Sequence, residues 1–294
     1  MTACKEVILS AGSFNTPQLL MLSGIGDKTE LTKLGINTRV NLPSVGKNLT
    51  DHILLPTAWR VNNNQTTQSY YNPAILPQEI QEWNQTHKGP LAWTVLSQMA
   101  WLRLPPNDPI LKSYGDPSPG PTSAHYQLIW GNGWASPIPR PNGTWLTIQA
   151  NLVSPTSRKR VILFIPLLGL IIFRRGGEIR LNTSDPFNAP IIDHNALSTD
   201  YDIKTLVAAA KAARRFLSAD AWKGFIVSEW EPLAAAKTDE ELVLYARNYS
   251  TTYVGSYRTT LLSDPDIVNL VSSTPPEPQL CLHIKPSGAF WTPI

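Results

Sequence analysis

The stretch from Val7 to Gly26, V-I-L-S-A-G-S-F-N-T-P-Q-L-L-M-L-S-G-I-G, constrains the fold of this chain most, because it reads as strand, turn, helix and turn in immediate succession. Val7, Ile8 and Leu9 form a short apolar run, and Ser10-Ala11-Gly12 behind it is small enough for backbone to approach a neighbour closely. Thr16 reads as a helix N-cap with Pro17 at the first helical position, where a missing N–H costs nothing. Gln18 to Leu22 continue that helix, and Ser23-Gly24-Ile25-Gly26 ends it with two glycines free to take positive φ. A strand that runs through small residues into a helix N-terminus can bring amides and a positive dipole end to a phosphate. The same pattern also serves as an ordinary strand-to-helix turn of an α/β sheet.

Gly12 to Gly26 reads G-S-x-x-T-P-x-L-L-x-x-S-G-I-G, and this resembles the second signature of the glucose-methanol-choline (GMC) flavoprotein oxidoreductases. Leu34-Gly35-Ile36, Leu42-Pro43, Val45-Gly46, Asn48-Leu49 and Asp51-His52 then resemble the L-G-I…L-P-x-V-G-x-N-L-x-D-H block that follows it in that family. A third block, Gly177 to Trp222, contains I-R-L-N-T-S-D-P-F-N-A-P-I-I-D-H-N-A-L-S-T-D-Y-D and resembles the family's carboxy-terminal region. The resemblance implies FAD as cofactor and oxidation of a CH–OH donor, an alcohol or a sugar, by hydride transfer to the flavin. It implies an α/β FAD-domain remnant over residues 1–52 and an α+β substrate domain with a mainly antiparallel sheet over 53–247. A divergent tail follows over 248–294. It also makes Ala11 and Gly12 the expected backbone contacts to the cofactor, since they sit where the family's strand ends against the dinucleotide.

Three departures limit what carries over. Tyr245 to Thr252 resembles the approach to the family's catalytic H-P-x-G-T block, but Tyr253-Val254-Gly255-Ser256-Tyr257 stands in its place. A general base needs a pKa near working pH, and a tyrosine at about 10 is a poor substitute for imidazole, so no catalytic residue is carried over. The family's G-x-G-x-x-G fingerprint would lie upstream of Met1, and Gly24-Ile25-Gly26 lacks the third glycine and follows a helix. Finally, residues 159–175 interrupt a V-S-P-x-S-R run with the apolar stretch Val161 to Phe173, too short to span a membrane and resembling nothing in the family. The expectation is a translated intron, and the chain is expected to be an inactive fragment that binds FAD weakly or not at all. The alternative is a non-catalytic binding module or an unstable product.

The remaining features exclude more than they assign. At 294 residues and 42% apolar the chain can build a proper core, and a net charge of +3 with scattered cations does not argue for nucleic acid. His52, His87, His125, His194 and His283 show no H-x-H or H-E-x-x-H spacing, so no metal is expected. Neither a G-x-S-x-G elbow nor a Walker loop occurs. Asp51-His52 reads as structural, because sequence neighbours point in different directions. Cys4 and Cys281 provide no disulfide framework. Sequons at Asn48, Asn64, Asn84, Asn142, Asn182 and Asn248 suit a secreted protein, although Met1 to Lys5 is not a signal peptide.

Elsewhere the pattern predicts helices from Asp27 to Gly35 (capping box at Glu30), over 77–87, over 198–217, and from Thr238 with Glu241 completing a capping box. Strands are predicted over 36–40, 125–130, 145–153 and 178–181, and 190–193 is read as extended. Tyr70, Tyr71, Trp83, Trp93, Trp101, Trp130 and Trp134 fall where the family builds its substrate cap, so one or two are expected to line a pocket.

Overall fold

The computed structural model describes residues 6–63, 66–67, 73–92, 96–136, 139–157, 161–165, 170–174, 176–252 and 281–284. In chain order the elements begin with β1 (Glu6–Leu9), α1 (Gly12–Leu22), β2 (Ile25–Gly26), α2 (Lys28–Lys33), β3 (Val40–Asn41), β4 (Lys47–Leu49) and β5 (Ile53–Val61). They continue with α3 (Leu76–Thr86), β6 (Leu96–Leu102), α4 (Pro109–Tyr114), β7 (Tyr126–Gly131), β8 (Trp145–Leu152), β9 (Val161–Ile165) and β10 (Leu170–Arg174). The last are β11 (Gly177–Arg180), β12 (Ile191–Asp193), α5 (Asp200–Leu217), β13 (Ile226–Glu229), α6 (Glu231–Ala235), α7 (Asp239–Tyr249), β14 (Thr251–Thr252) and β15 (Cys281–Ile284). Contacts divide the chain into two compact units, one from Met1–Asp51, Ser157–Ala196 and Val254–Ile294, the other from His52–Thr156 and Leu197–Tyr253.

The first unit is small α/β structure around Leu20, Met21, Leu31, Leu42, Val45, Leu49 and Ile179. Its α1 begins at Gly12 with Ala11 at the cap position, five residues before the expected start, and Thr16 and Pro17 lie buried inside the helix. The reason is Gly12, whose φ of +80° turns the chain from β1 directly into the helix, so no later cap is needed. The Asp27 side chain caps α2 by accepting from the Thr29 and Glu30 amides, but Glu30 does not reach back to complete a box. Its carboxylate is held by Lys47 at 3.0 Å. α2 ends in a Schellman closure, Ile36 N–H donating to Leu31 and Gly35 N–H to Thr32, with Ile36 packed on the Leu31 cluster. That closure holds 35–36 to the helix, and the strand expected over 36–40 shrinks to Val40–Asn41, paired parallel with β2.

A three-stranded sheet, β12-β11-β4, completes this unit. Two glycines make it possible. At Gly177 a Cβ would lie 2.6 Å from the Asp193 carbonyl oxygen and 2.8 Å from those of His194 and Leu49; at Gly46, which also has φ +78°, it would lie 2.3 Å from the Ile179 oxygen. The segment read as foreign forms a hairpin, β9 antiparallel to β10, that pairs with no other strand among the described residues. No described helix is long and apolar enough to cross a membrane.

The second unit carries an antiparallel sheet in the order β13-β5-β8-β7-β6, with β14 beside β5. The alternation W-L-T-I-Q-A-N-L in β8 decides its faces: Leu146, Ile148, Ala150 and Leu152 share a core with Leu206, Val207, Ala210 and Ala213 of α5. Thr199 caps α5 by accepting from the Asp202 amide, and Ile203, Leu206, Val207, Ala210, Ala213 and Leu217 are buried as the periodicity predicts. Arg214 is half-buried. It forks onto Glu229 with two 2.9 Å bonds and donates to the carbonyls of Leu233 and Ala236, tying α5 to β13 and α6.

β5 was not expected, because Pro56 interrupts its pattern. The proline sits between the stretches that β14 and β13 occupy on that side of β5, so no ladder bond is lost there. Its carbonyl accepts from the Tyr245 hydroxyl at 2.7 Å, and burial raises the Tyr245 pKa, keeping that donor protonated.

Ahead of β7, His125 is fully buried. Its Nδ1 accepts from the Leu104 amide at 2.9 Å, which leaves Nε2 as the donor to Asp116, 3.1 Å away. The Ser118 hydroxyl above all, then its amide, Arg103 and His125, holds the Asp116 carboxyl well below its ordinary 3.8 against an opposing desolvation. A depressed acid contributes stability that is present above 3.8 and lost as pH falls through its folded value. Asp116→Asn is therefore expected to lower the unfolding midpoint at neutral pH, with the gap to wild type closing as pH falls below 3.8. A gap that stays constant in thermal melts down to strong acid counts against the ion network.

Candidate functional site

Two surfaces, one on each unit, are candidates for a site. On the first, β1 runs through Ser10 and Ala11, both exposed, into Gly12 at the head of α1. A Cβ placed on Gly12 meets nothing within 4 Å, and no N-cap side chain closes the helix. The two residues expected to contact a cofactor thus present open backbone at a helix N-terminus. The S-G-I-G end of the motif has a different job. Gly24, at φ +86°, would put a Cβ 2.5 Å from the Asn37 oxygen, and its carbonyl accepts from the Arg39 and Val40 amides. These glycines serve the β2–β3 pairing.

The Asp51 side chain is 2% exposed and a carboxylate oxygen lies 3.7 Å from Nε2 of His194, whose ring meets the edge of Phe14 in the first turn of α1 at 6.2 Å.

On the second unit, the face of the sheet opposite α5 carries Gln127, Asn151 and Leu54 side by side on β7, β8 and β5, with Thr251 of β14 next in the row. Asn151 Nδ2 donates to Gln127 Oε1 at 2.9 Å, and Gln127 Nε2 to the Met99 sulfur at 3.4 Å. One step along, Gln149 Nε2 donates to the Ala135 carbonyl and Thr147 to that of Gly133, so the 133–135 loop is fastened over that end of the face. Oδ1 of Asn151 and Oε1 of Gln149 are buried with no hydrogen-bond partner. Buried acceptors are costly to leave unmet, so these two oxygens can still accept from a donor such as water or a ligand. These carboxamides were not singled out from the sequence. The T-x-Q-x-N alternation over 147–151, opposite in phase to L-x-I-x-A-x-L, was the available signal.

Of the aromatic residues expected to line a pocket, Trp134 packs edge-on against Trp145 and Trp230 in the core, and Trp130 against Phe216. Trp83 of α3 meets the C-cap residue His87 edge-on, with ring centroids 5.3 Å apart. Trp101 alone among those described stands on the carboxamide face, 59% exposed and directly opposite Gln127. Tyr70, Tyr71 and Trp93 lie outside the described residues, as does Tyr253 immediately beyond β14. Among the described residues no three His, Cys, Asp or Glu side chains converge to hold a metal.

Two models of the GMC oxidoreductase family match in chain order, the amino-terminal one over residues 1–54 and the carboxy-terminal one over 173–261. The chain belongs to the GMC oxidoreductase family. Pyranose dehydrogenase of Agaricus campestris is 36% identical over 268 residues, 90% of this chain and 42% of that protein. Dehydrogenase eriK of Hericium erinaceus is 34% identical over 77% of this chain and 35% of its own length. Among solved structures, a formate oxidase variant from Aspergillus oryzae RIB40, studied for modification of its FAD, superposes with a TM-score of 0.73 at 27% identity, over 88% of this chain and 45% of that one. This GMC chain therefore spans well under half the length of these curated relatives.

FAD is the cofactor of the GMC family. The β1–α1 turn fits part of such a group, since Gly12 leaves open space and the helix head has no capping side chain. Residues 161–172 of the unexpected hairpin fall outside both family models.

Proposed function

We propose that this protein serves the FAD-dependent oxidation of a CH–OH donor, an alcohol or sugar, by hydride transfer to the flavin. The observation that carries the reading is the match to pyranose dehydrogenase over nine-tenths of the chain. The backbone at Ala11 and Gly12 takes the cofactor where β1 ends, and the carboxamide face of the second unit takes the donor. When bound, the flavin supplies the two-electron acceptor; the chain's own residues orient and desolvate. The 294 residues contain no G-x-G-x-x-G, and Tyr253 stands where the family's histidine is expected. Expressed by itself, the chain is therefore expected to hold FAD weakly or not at all and not to turn over. An absorbance spectrum of the purified chain with one bound flavin per molecule contradicts this.

A second reading, a non-catalytic module that binds the same class of ligand, is favoured by one observation: Y-V-G-S-Y replaces H-P-x-G-T after Thr252. Sugar binding that persists with the flavin still unreduced after FAD binding has been restored by co-expression with a family dinucleotide-binding half would select it.

Secretion accords with the sequons. Asn84, Asn142, Asn182 and Asn248 are exposed, Asn48 is half-buried at φ +56°, and Asn64 lies outside the described residues. Asn142 and Asn182 sit in turns, free of helix. Protein from a secreting eukaryotic host is expected to lose mass on enzymatic deglycosylation, leaving aspartate at one or both turns. An unchanged mass rejects it.

A further inference from the structure

The β9–β10 hairpin, outside both family models over residues 161–172, changes character from one end to the other. Ile162, Leu163, Phe164 and Ile165 of β9 pair in register with Phe173, Ile172, Ile171 and Leu170 of β10, so four of its five pairs are apolar on both strands. Successive residues of a strand alternate between faces, and an unbroken apolar run therefore makes both faces of the ribbon apolar. The sequence joining the strands, Pro166-Leu167-Leu168-Gly169, adds no charge. The fifth pair, Val161 with Arg174, lies at the open end, and there the charge begins. Arg158-Lys159-Arg160 leads directly into β9 and Arg174-Arg175 closes β10, while no Asp or Glu occurs between Asp116 and Glu178. Without those five cations the net charge of the chain, +3, would be negative.

We propose that this hairpin seats the protein on an anionic lipid surface, its apolar end at the boundary between headgroups and acyl chains and its cationic end among the acidic headgroups. Five paired residues extend only about 13–17 Å, too short to cross a hydrocarbon core of about 30 Å. Nor does the ribbon suit the core itself. The outer N–H and C=O groups of its strands meet no further strand among the described residues, and hydrocarbon supplies no partner for them. The boundary meets both needs: apolar surface is buried to a depth of about 5–10 Å, where water and headgroups still reach the strand edges. A second copy of the chain would also cover the apolar faces, but the cations of the two copies would repel. Acidic headgroups answer both ends of the hairpin at once. This seating is independent of the redox reading above and calls on no flavin.

The test is co-sedimentation of the full 294-residue chain with sucrose-loaded vesicles, made of phosphatidylcholine alone or with about one-third phosphatidylserine. The chain is expected to bind the acidic vesicles about tenfold or more tightly than the neutral ones, and to bind them less as salt rises from about 0.1 to about 0.5 M. Replacing the five cations together (R158Q, K159Q, R160Q, R174Q and R175Q) is expected to weaken binding about tenfold or more, since each cation near such a surface contributes up to about fivefold. Deleting residues 159–175 is expected to abolish it. Neither change alters a strand that pairs with any other sheet, and circular dichroism checks that the fold is kept. If the deletion unfolds the chain, the charge variant decides alone. Absence of binding overturns the proposal, as does equal binding to both kinds of vesicle or binding unmoved by the charge variant. Pelleting without vesicles that disappears with the deletion also overturns it and assigns the hairpin to a second copy of the chain.

Discussion

Gly46→Ala is expected to cost the first unit about 2 to 5 kcal/mol. Two penalties add. A φ of +78° is left-handed backbone that costs an L-residue about 1–2 kcal/mol. The new methyl would also lie 2.3 Å from the Ile179 carbonyl oxygen, and overpacking costs about 1–3 kcal/mol. The obstacle is backbone, so no rotamer change relieves it. Moving Ile179 away breaks the 2.6 Å bond from its amide to the Gly46 carbonyl and then the β4–β11 pairing beside it. Hydrogen exchange at Leu49 and Ile179, both fully buried, reads the effect locally. Protection factors unchanged from wild type would show that the strand relaxes around the methyl.

Trp230→Ala is expected to destabilise the second unit by about 3 to 5 kcal/mol. The indole packs edge-on against Trp134, Tyr245 and Tyr249 at 5.2–6.3 Å between centroids, and it is 8% exposed. It therefore joins the 133–135 loop, α7 and the turn into α6 in one cluster. Its amide also donates to the Ala58 carbonyl of β5, a bond the substitution keeps. What is lost is a large apolar volume among three rings that cannot collapse into it, because α7 is fastened through Tyr245 to Pro56. Urea denaturation followed by far-ultraviolet circular dichroism measures it, and a loss under 1 kcal/mol would mean that the aromatic cluster repacks freely.

How far such features were legible depends on where their causes lie. Helix signals are local, so α5 with Thr199 at its cap and α7 with the Thr238–Glu241 box were readable, and α2 was readable from Asp27 to Gly35. α1 was misplaced because Thr16-Pro17 is a strong local start signal, and only the turn at Gly12 overrides it. β5 was unreadable because its proline is excused by a gap between two strands almost two hundred positions away. The outcome at the candidate sites divides the same way. Ala11 and Gly12 were proposed from a motif that lies within one window of sequence, whereas Gln127, Gln149 and Asn151 form one surface only through strand register, which no window of sequence contains.

The way β5 is paired also bears on how the protein is made. One side of it meets β8 about ninety residues on, but its other side waits for β13 and β14, near the end of the described chain. During synthesis the most apolar strand of the sheet must therefore leave the ribosome with an open flank, and keep it open while all of 157–196 is translated as part of another unit. Heterologous yield should consequently respond to slower translation and to co-expressed holdase chaperones more than to any stabilising substitution in the finished sheet.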